Sequence, residues 1–172
     1  MSGDLAQRIN RVSRLEGSFV LRSGQVSAHY FDKYRFEADP GLLREVARRM
    51  LDLLPAGTEV IAGLELGGVP IVTAMSLESG LPAAFVRKEA KSYGTCRAIE
   101  GSEVHGRKTV IVEDVISTGG AVADATQLLR AEGADLTCVV CAIWRGKGEP
   151  QIAGVPGLLV KPMLTEAELA AA

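Results

Sequence analysis

The sequence predicts a single α/β domain whose central parallel sheet is covered by helices on both faces. Short apolar runs alternate with helical segments through most of the chain, and strands buried on both faces have this continuous apolar character. The 172 residues, 47% hydrophobic and 23% charged, suit one domain with a sizeable core. No repeat, low-complexity segment or linker divides the chain.

The N-terminal segment predicts a helix, a hairpin and a second helix. In "DLAQRINRVSRLEG" the apolar residues share one helical face, and Gly17 should end the helix. These residues are Leu5, Ile9, Val12 and Leu15. The stretch "SFVLRSGQVSAHYFD" predicts two short strands around a Ser-Gly turn. Asp39 and Pro40 are typical first residues of the helix "GLLREVARRMLDLL".

The rest of the chain alternates between strands and helices. The predicted strands are "EVIAGL", "LPAAFVRK", "TVIVEDV", "DLTCVVCAIW" and "GLLVKP". The predicted helices are "GGVPIVTAMSLESG" and "GAVADATQLLRAEG". Ligands of such sheets bind at the carboxyl ends of the strands, so we expect the site after Leu64, Val86, Val112 and Ile143. A long polar stretch from about Lys88 to Arg107 is irregular and is expected to be functional.

The composition excludes some classes of function. A net charge of −2 gives no overall basic field for nucleic acid. No apolar run reaches the length that spans a bilayer, and no signal-peptide pattern opens the chain. We therefore expect a cytoplasmic protein with neither a nucleic-acid nor a membrane partner.

The cysteines and histidines do not predict a metal or redox site. Cys138 and Cys141 have CxxC spacing but lie in an apparent strand, where residues three apart point to opposite faces. We interpret them as core thiols, and we expect Cys96 to be exposed. His29 and His105 have no partner in the sequence pattern and are expected to be structural or exposed.

The stretch "VIVEDVISTGGA", Val110 to Ala121, contains the strongest functional signal. A buried strand ends in two adjacent acids, and small and hydroxyl residues then lead into a helix. Successive backbone N–H groups at a helix N-terminus form a cradle for phosphate. The spacing fits neither a Walker loop nor the dinucleotide fingerprint. Acids beside a phosphate cradle suggest a sugar phosphate, and the alternative is a capped turn that binds nothing.

This stretch resembles the phosphoribosyl pyrophosphate (PRPP) signature of the type I phosphoribosyltransferases. "VRKEAKSYGTCRAIEG" is similar to the mobile catalytic loop of the orotate phosphoribosyltransferases. "FVLRSGQVSAHYFD" and "GLLVKPMLTEAEL" are similar to the N-terminal and C-terminal segments of that family. The resemblance covers most of the chain. It implies a Rossmann-like central parallel sheet flanked by helices, with a small N-terminal hood of residues 1–38 on a core of residues 39–172.

The resemblance also implies a role for each matching residue, with Lys91 and Asp114 as the catalytic ones. The diphosphate of PRPP would contact Arg22, Arg87, Lys88, Lys91 and Tyr93. Its ribose would bind to Glu113 and Asp114, and its 5-phosphate to Val115, Ile116, Ser117, Thr118, Gly119, Gly120 and Ala121. Orotate would bind to Tyr30, Phe31, Ser117 and Arg145. A second turn of backbone amides would face the pyrophosphate at Glu65, Leu66, Gly67 and Gly68.

Two of these assignments also make chemical sense from the residues themselves. Arg87, Lys88 and Lys91 place three cations within five positions, and cations near a departing pyrophosphate stabilise its developing negative charge. Arginine binds carboxylates in a bidentate manner, so Arg145 suits the carboxylate of orotate. A closing loop would also exclude water from an activated ribosyl centre.

The activity implied by the resemblance is transfer of the phosphoribosyl group from PRPP to orotate, in pyrimidine biosynthesis. Mg²⁺ would arrive with the diphosphate rather than on a protein site. The family implies a homodimer in which the loop of one subunit reaches the active site of the other. Two alternatives stay open: a phosphoribosyltransferase for another base, and a regulator that binds PRPP without catalysis.

Overall fold

A computed structural model describes residues 2–21, 23–89 and 97–172, with the side chains of residues 2 and 3 left aside. The strands are β1 Arg14–Val20, β2 Val26–Phe31, β3 Val60–Leu64, β4 Ala83–Val86, β5 Ile99–Gly101, β6 Lys108–Ile116, β7 Asp135–Trp144 and β8 Leu159–Thr165. The helices are α1 Ser2–Ser13, α2 Lys33–Glu37, α3 Pro40–Leu51, α4 Gly68–Ser79, α5 Gly120–Ala131 and α6 Glu166–Ala170. None of these described helices is both long and apolar enough to cross a membrane.

The central sheet has six strands in the order β5-β4-β3-β6-β7-β8. All neighbouring pairs are parallel except β4 and β5, which are antiparallel. The predicted parallel sheet is therefore confirmed. The edge strand β5 was not predicted, because its three residues lie within the polar stretch that we interpreted as irregular. Three residues are too few to show a period.

Each face of the sheet carries its own hydrophobic core. One core packs α1, α3 and α4 against the sheet, and the other packs α5 against the opposite face. The alternation of β6 separates Val110 and Val112 from Ile111 in this way. Cys138 lies in the first core and Cys141 in the second, which confirms that they are core thiols on opposite faces. Cys96 lies outside the described residues.

A two-stranded antiparallel hairpin, β1 and β2, follows α1 within the segment predicted to be the N-terminal hood. Our expectation that the first helix continues through Leu15 to Gly17 is wrong, since α1 ends at Ser13. Arg14 and Leu15 pair instead with Phe31 and Tyr30 of β2, because the ladder with β2 satisfies their backbone groups. Gly17 falls within the irregularity of the β1 ladder, a common position for glycine in a strand.

Two short helices, α2 and α6, were not predicted. Helix α2 has five residues and begins after Asp32, whose carboxylate accepts the N–H of Tyr34. Helix α6 begins with a capping box between Thr165 and Glu168. The predicted start of α3 is confirmed, since Asp39 accepts the N–H groups of the residues that follow Pro40.

Candidate active site at the carboxyl ends of the strands

The turn between β6 and α5 forms an anion cradle. Gly119 has a left-handed backbone with φ 78°, and a Cβ added there would lie 2.8 Å from Ile152 Cδ1, so only glycine fits. Helix α5 begins at Gly120 without a side-chain cap, which leaves its first N–H groups for a ligand. Glu113 and residues 115–122 line a cleft of about 170 Å³ here. The predicted phosphate turn therefore has the geometry of an oxyanion site.

The two acids at the end of β6 point to opposite faces of the sheet. Glu113 lines the cradle cleft and is 8% exposed. Asp114 points the other way, toward α2 and the start of α4, and its side chain is 1% exposed. Asp114 Oδ2 lies 2.6 Å from Lys33 Nζ, and Asp114 Oδ1 accepts the N–H of Val115 at 2.6 Å. The pair predicted to bind ribose therefore flanks one strand end, with a different environment for each carboxylate.

Burial and neighbouring charges shift the pKa values of three groups around Asp114, namely Glu113, Glu37 and Lys33. Burial raises the pKa of Glu113, and the charge of Asp114 adds to the effect. Glu37 on α2 is 6% exposed, and burial together with Asp114 raises the pKa of Glu37 to about 8. Burial alone would lower the pKa of Lys33, but the hydrogen bond and charge of Asp114 outweigh it and raise that pKa. The cluster therefore holds fewer negative charges than carboxyl groups.

The turn before α4 packs directly against Asp114. A Cβ added at Gly67 would lie 1.7 Å from Asp114 Oδ2, and one at Gly68 would lie 2.5 Å from the carbonyl oxygen of Val112. These two glycines let the N-terminus of α4 approach β6. Helix α4 has no side-chain cap, so its first N–H groups suit an anion. The Glu65 carboxylate accepts the N–H of Lys88 at 3.1 Å. The next residue, Leu66, is 60% exposed.

A larger cleft of about 420 Å³ lies beneath the hairpin. Its walls include Tyr30, Phe31 and Arg145, which were predicted to bind the base. Arg145 Cζ lies 5.8 Å from the centre of the Phe31 ring, within the range of a cation–π contact. Arg145 also donates to Glu166 Oε1 from Nη2 at 2.7 Å and from Nε at 2.9 Å. The guanidinium predicted to bind orotate is thus already paired with a carboxylate.

Ser117 does not join the other predicted base-binding residues. It lines the small cradle cleft, and it is not among the residues that form the walls of the cleft beneath the hairpin.

His29 lines the cleft beneath the hairpin and is exposed, and His105 is exposed beside the carbonyl of Glu132. The expectation that both histidines are structural or exposed is therefore confirmed.

The structure describes only some of the cationic residues that were predicted to contact the diphosphate. Arg87 and Lys88 follow β4 and line a third cleft, of about 450 Å³, together with Thr118 of the cradle turn. Arg22, Lys91 and Tyr93 lie outside the described residues. Within the described ranges, no group of three or more His, Cys, Asp or Glu side chains could hold a metal ion.

Sequence reasoning missed Lys33 and Glu37. Both belong to "DKYRFE", and the residues of this segment after Asp32 received no assignment from the sequence. A signal was available, because Asp32 is a typical N-cap and residues four apart share a helical face. Nothing in the sequence, however, indicates that this face meets Asp114.

Comparison with known proteins extends the resemblance to the whole chain. The family model described as phosphoribosyl transferase domain matches residues 36–153. The orotate phosphoribosyltransferase of a Nocardioides species is 58% identical over 100% of this chain and 96% of its own length. That of Methanocella arvoryzae is 35% identical over 98% and 97%. The Mycobacterium tuberculosis orotate phosphoribosyltransferase in complex with PRPP has a TM-score of 0.83 and 28% identity, over 98% of both chains.

Proposed function

The chain belongs to the orotate phosphoribosyltransferase family, and from that membership we propose that it transfers the 5-phosphoribosyl group of PRPP to orotate. The products are orotidine 5′-monophosphate and pyrophosphate, as a step of de novo pyrimidine synthesis. The observation that carries the proposal lies near the end of β6, where Glu113 adjoins the uncapped N-terminus of α5 and Asp114 faces the uncapped start of α4. A capped turn that binds nothing would have no use for buried acids at this point.

The cradle and the two acids bind the sugar phosphate. The free N–H groups at the start of α5 and the helix dipole favour the 5-phosphate in the cleft from Glu113 to Val122. Carboxylate oxygens accept hydrogen bonds from hydroxyl groups, so the ribose hydroxyls bind beside Glu113 and Asp114. These contacts hold the anomeric carbon in place, and such orientation lowers the barrier of a two-substrate reaction.

The leaving diphosphate is stabilised by cations and backbone amides. Arg87 and Lys88 lie at the end of β4, next to Glu65 of the turn before α4. The uncapped start of α4 at Gly67 and Gly68 adds N–H groups to this region. Groups positioned for negative charge that develops in the transition state accelerate the departure of the diphosphate. The family resemblance adds Arg22, Lys91 and Tyr93 to this set.

Orotate binds in the cleft of about 420 Å³ beneath the hairpin. The ring packs near Phe31, and its carboxylate approaches Arg145. A ring nitrogen of orotate attacks the anomeric carbon directly, with inversion, so the protein supplies no covalent nucleophile. Its contribution is orientation, charge stabilisation and the exclusion of water.

Mg²⁺ enters with the substrate in this proposal. The diphosphate of PRPP is a strong oxygen ligand for Mg²⁺, which keeps several waters and prefers phosphate oxygens. The Mg²⁺–PRPP complex is then the species that the cations and amides of the site bind. Because PRPP is highly charged and is retained inside cells, we place the activity in the cytoplasm.

A homodimer with a shared loop is a further part of the proposal, and it rests on the family resemblance. The loop around Lys91 would close over the diphosphate in the neighbouring subunit. It begins after Lys88, at the rim of the cleft that also contains Thr118. In a closed two-fold dimer, the loop of each subunit would complete the active site of the other subunit.

The test is a direct assay of turnover. Purified protein is mixed with orotate, PRPP and Mg²⁺, and the loss of orotate absorbance is followed over time. Parallel reactions contain uracil or a purine base in place of orotate, and a mixture with Asp114→Asn serves as the matched inactive control. Turnover of another base alone would identify a phosphoribosyltransferase of different specificity. Binding of PRPP with no turnover of any base would indicate a regulator.

A further inference from the structure

Helix α2 presents two ionisable side chains to the ribose-binding acid Asp114. Lys33 and Glu37 begin and end the helix, so they lie one turn apart on the same face. Lys33 Nζ contacts Asp114 Oδ2 at 2.6 Å. Glu37 is buried, and the charge of Asp114 acts on it directly. Neither residue belongs to the strand-end motif, although both meet it at its most buried position.

The Glu37 carboxyl requires a proton to be satisfied in this place. Neither of its oxygens has a hydrogen-bond donor among the described residues, and the group that it faces, Asp114, is an acceptor when ionised. Two carboxyls in contact become a hydrogen-bonded pair only when one of them carries a proton. Burial and Asp114 raise the pKa of Glu37 to about 8, so Glu37 is the protonated partner at neutral pH.

Lys33 compensates the remaining charge on Asp114. Two buried carboxyls, those of Glu37 and Asp114, lie on this face of β6, and the Lys33 ammonium group, whose side chain is 34% exposed, contacts Asp114. More than one uncompensated negative charge would be costly in such a place. Asp114 is the carboxyl in contact with the ammonium group, so Lys33 is its counter-ion.

The contacts of Asp114 also fix the plane of its carboxylate. Oδ2 contacts Lys33 and Oδ1 accepts the N–H of Val115. Each oxygen retains further acceptor capacity, and a ribose hydroxyl that uses it has to open the packing around this buried side chain. The groups around this site therefore set both the direction and the charge of the carboxylate.

We propose that Lys33 and Glu37 are positioning residues that orient and charge-balance Asp114 for the ribose hydroxyls, with Lys33 as counter-ion and Glu37 as hydrogen-bond donor. This inference rests on the proposed function, since it assigns a purpose to Asp114 in that reaction. It assigns the recognition of ribose, but not of phosphate, to a helix outside the strand-end motif. The charged groups that act on Glu37 are Asp114 of β6, Lys33 of the same helix and Asp32 before it.

The experiment separates ribose recognition from phosphate binding. Affinities for ribose 5-phosphate and for inorganic phosphate are measured by calorimetry, since only the former has hydroxyls for Asp114. Glu37→Ala and Lys33→Met should each weaken ribose 5-phosphate about tenfold at pH 7 and leave phosphate affinity within about twofold. Glu37→Gln, which has the same shape and a permanent donor, should restore ribose 5-phosphate affinity to within about threefold of the wild type. Glu132→Gln, an exposed charge change at the end of α5, is the matched control.

The pH dependence gives a second readout. Glu37 is protonated below a pKa of about 8, so the wild type should lose ribose 5-phosphate affinity relative to phosphate as pH rises from 7 to 9. Glu37→Gln has no proton to lose and should show no such decline. An equal decline in both proteins, or unchanged affinity in Glu37→Ala, would overturn the inference. Retained phosphate binding shows that each variant is folded, and wild-type turnover of orotate tests the proposed function separately.

Discussion

The pairing of Arg145 with Glu166 leads to a prediction about how tightly orotate binds. Both hydrogen bonds from the guanidinium reach the same oxygen, Glu166 Oε1, so this carboxylate occupies the direction that a substrate carboxylate needs. The backbone of Arg145 is fixed, because its N–H donates to the carbonyl of Ile116 at 2.8 Å. Orotate must therefore share the guanidinium with Glu166 or displace that carboxylate.

The exposure of this pair sets the magnitude. The side chain of Arg145 is 37% exposed and that of Glu166 is 52% exposed. Hydrogen bonds to charged groups contribute about 1.5–3 kcal/mol when they are shielded, whereas exposed pairs contribute about 0–1 kcal/mol. We therefore expect Arg145→Ala to cost about 1–1.4 kcal/mol, or roughly five- to tenfold in the Kd for orotate. Glu166→Gln removes the competing charge and should tighten orotate binding roughly two- to fivefold.

The assay is calorimetric titration of orotate and, separately, of Mg²⁺–PRPP into each variant. PRPP affinity should change by less than about twofold, since the change lies in the base cleft. Arg48→Ala, which removes an arginine paired with Glu78 away from the site, is the matched control. Unchanged orotate affinity in Arg145→Ala would show that this arginine is not the carboxylate anchor. Weaker orotate binding in Glu166→Gln would show that Glu166 assists the substrate instead of competing with it.

Three further predictions concern Asp114 and its neighbours. Gly67→Ala should weaken PRPP binding at least tenfold, because the carboxylate of Asp114 would have to retreat by about 1.3 Å to lengthen a 1.7 Å contact to 3.0 Å. Gly41→Ala, which is remote from the site, should leave PRPP affinity unchanged. Equal PRPP affinities in the two variants would refute this packing argument. Asp114→Asn should lower turnover about a hundredfold while circular dichroism stays unchanged, since two charge-assisted contacts to hydroxyls are weakened; near-normal turnover would remove Asp114 from the site. Inactive Lys91→Ala and Asp114→Asn proteins, mixed under verified subunit exchange, should recover roughly a quarter of wild-type activity if the loop is shared across a two-fold dimer, and no recovery would refute the shared loop.

The elements that sequence predicted correctly are those with a local signal. Each central strand is a continuous apolar run, and the N-caps of α3, α4 and α5 are Asp39, Gly67 and Gly119, residue types that are typical before a helix. The strand-end motif is also local, since the strand, the acids and the turn follow one another in the chain. These features depend on neighbouring residues, and sequence patterns report neighbouring residues well.

The elements that were missed depend on distant partners. The end of α1 is set by β2, because Arg14 gains ladder hydrogen bonds with Phe31. Strand β5 exists because β4 offers it an edge. The role proposed for Glu37 follows from its burial and from the effect of the Asp114 charge on its pKa, and no periodicity in "DKYRFE" could predict that proximity. Tertiary pairing decided all three of these features.

The two adjacent acids are best explained by the two faces of their strand. Because successive side chains of a strand point to opposite sides, Glu113 faces the cradle of α5 while Asp114 faces the turn before α4. One strand end thus connects two uncapped glycine turns, one on each face of the sheet. Under the proposed function, PRPP carries a phosphate at each end of its ribose and would reach both turns across this strand end. Two consecutive acids suit such a ligand, whereas acids two positions apart would both lie on one face.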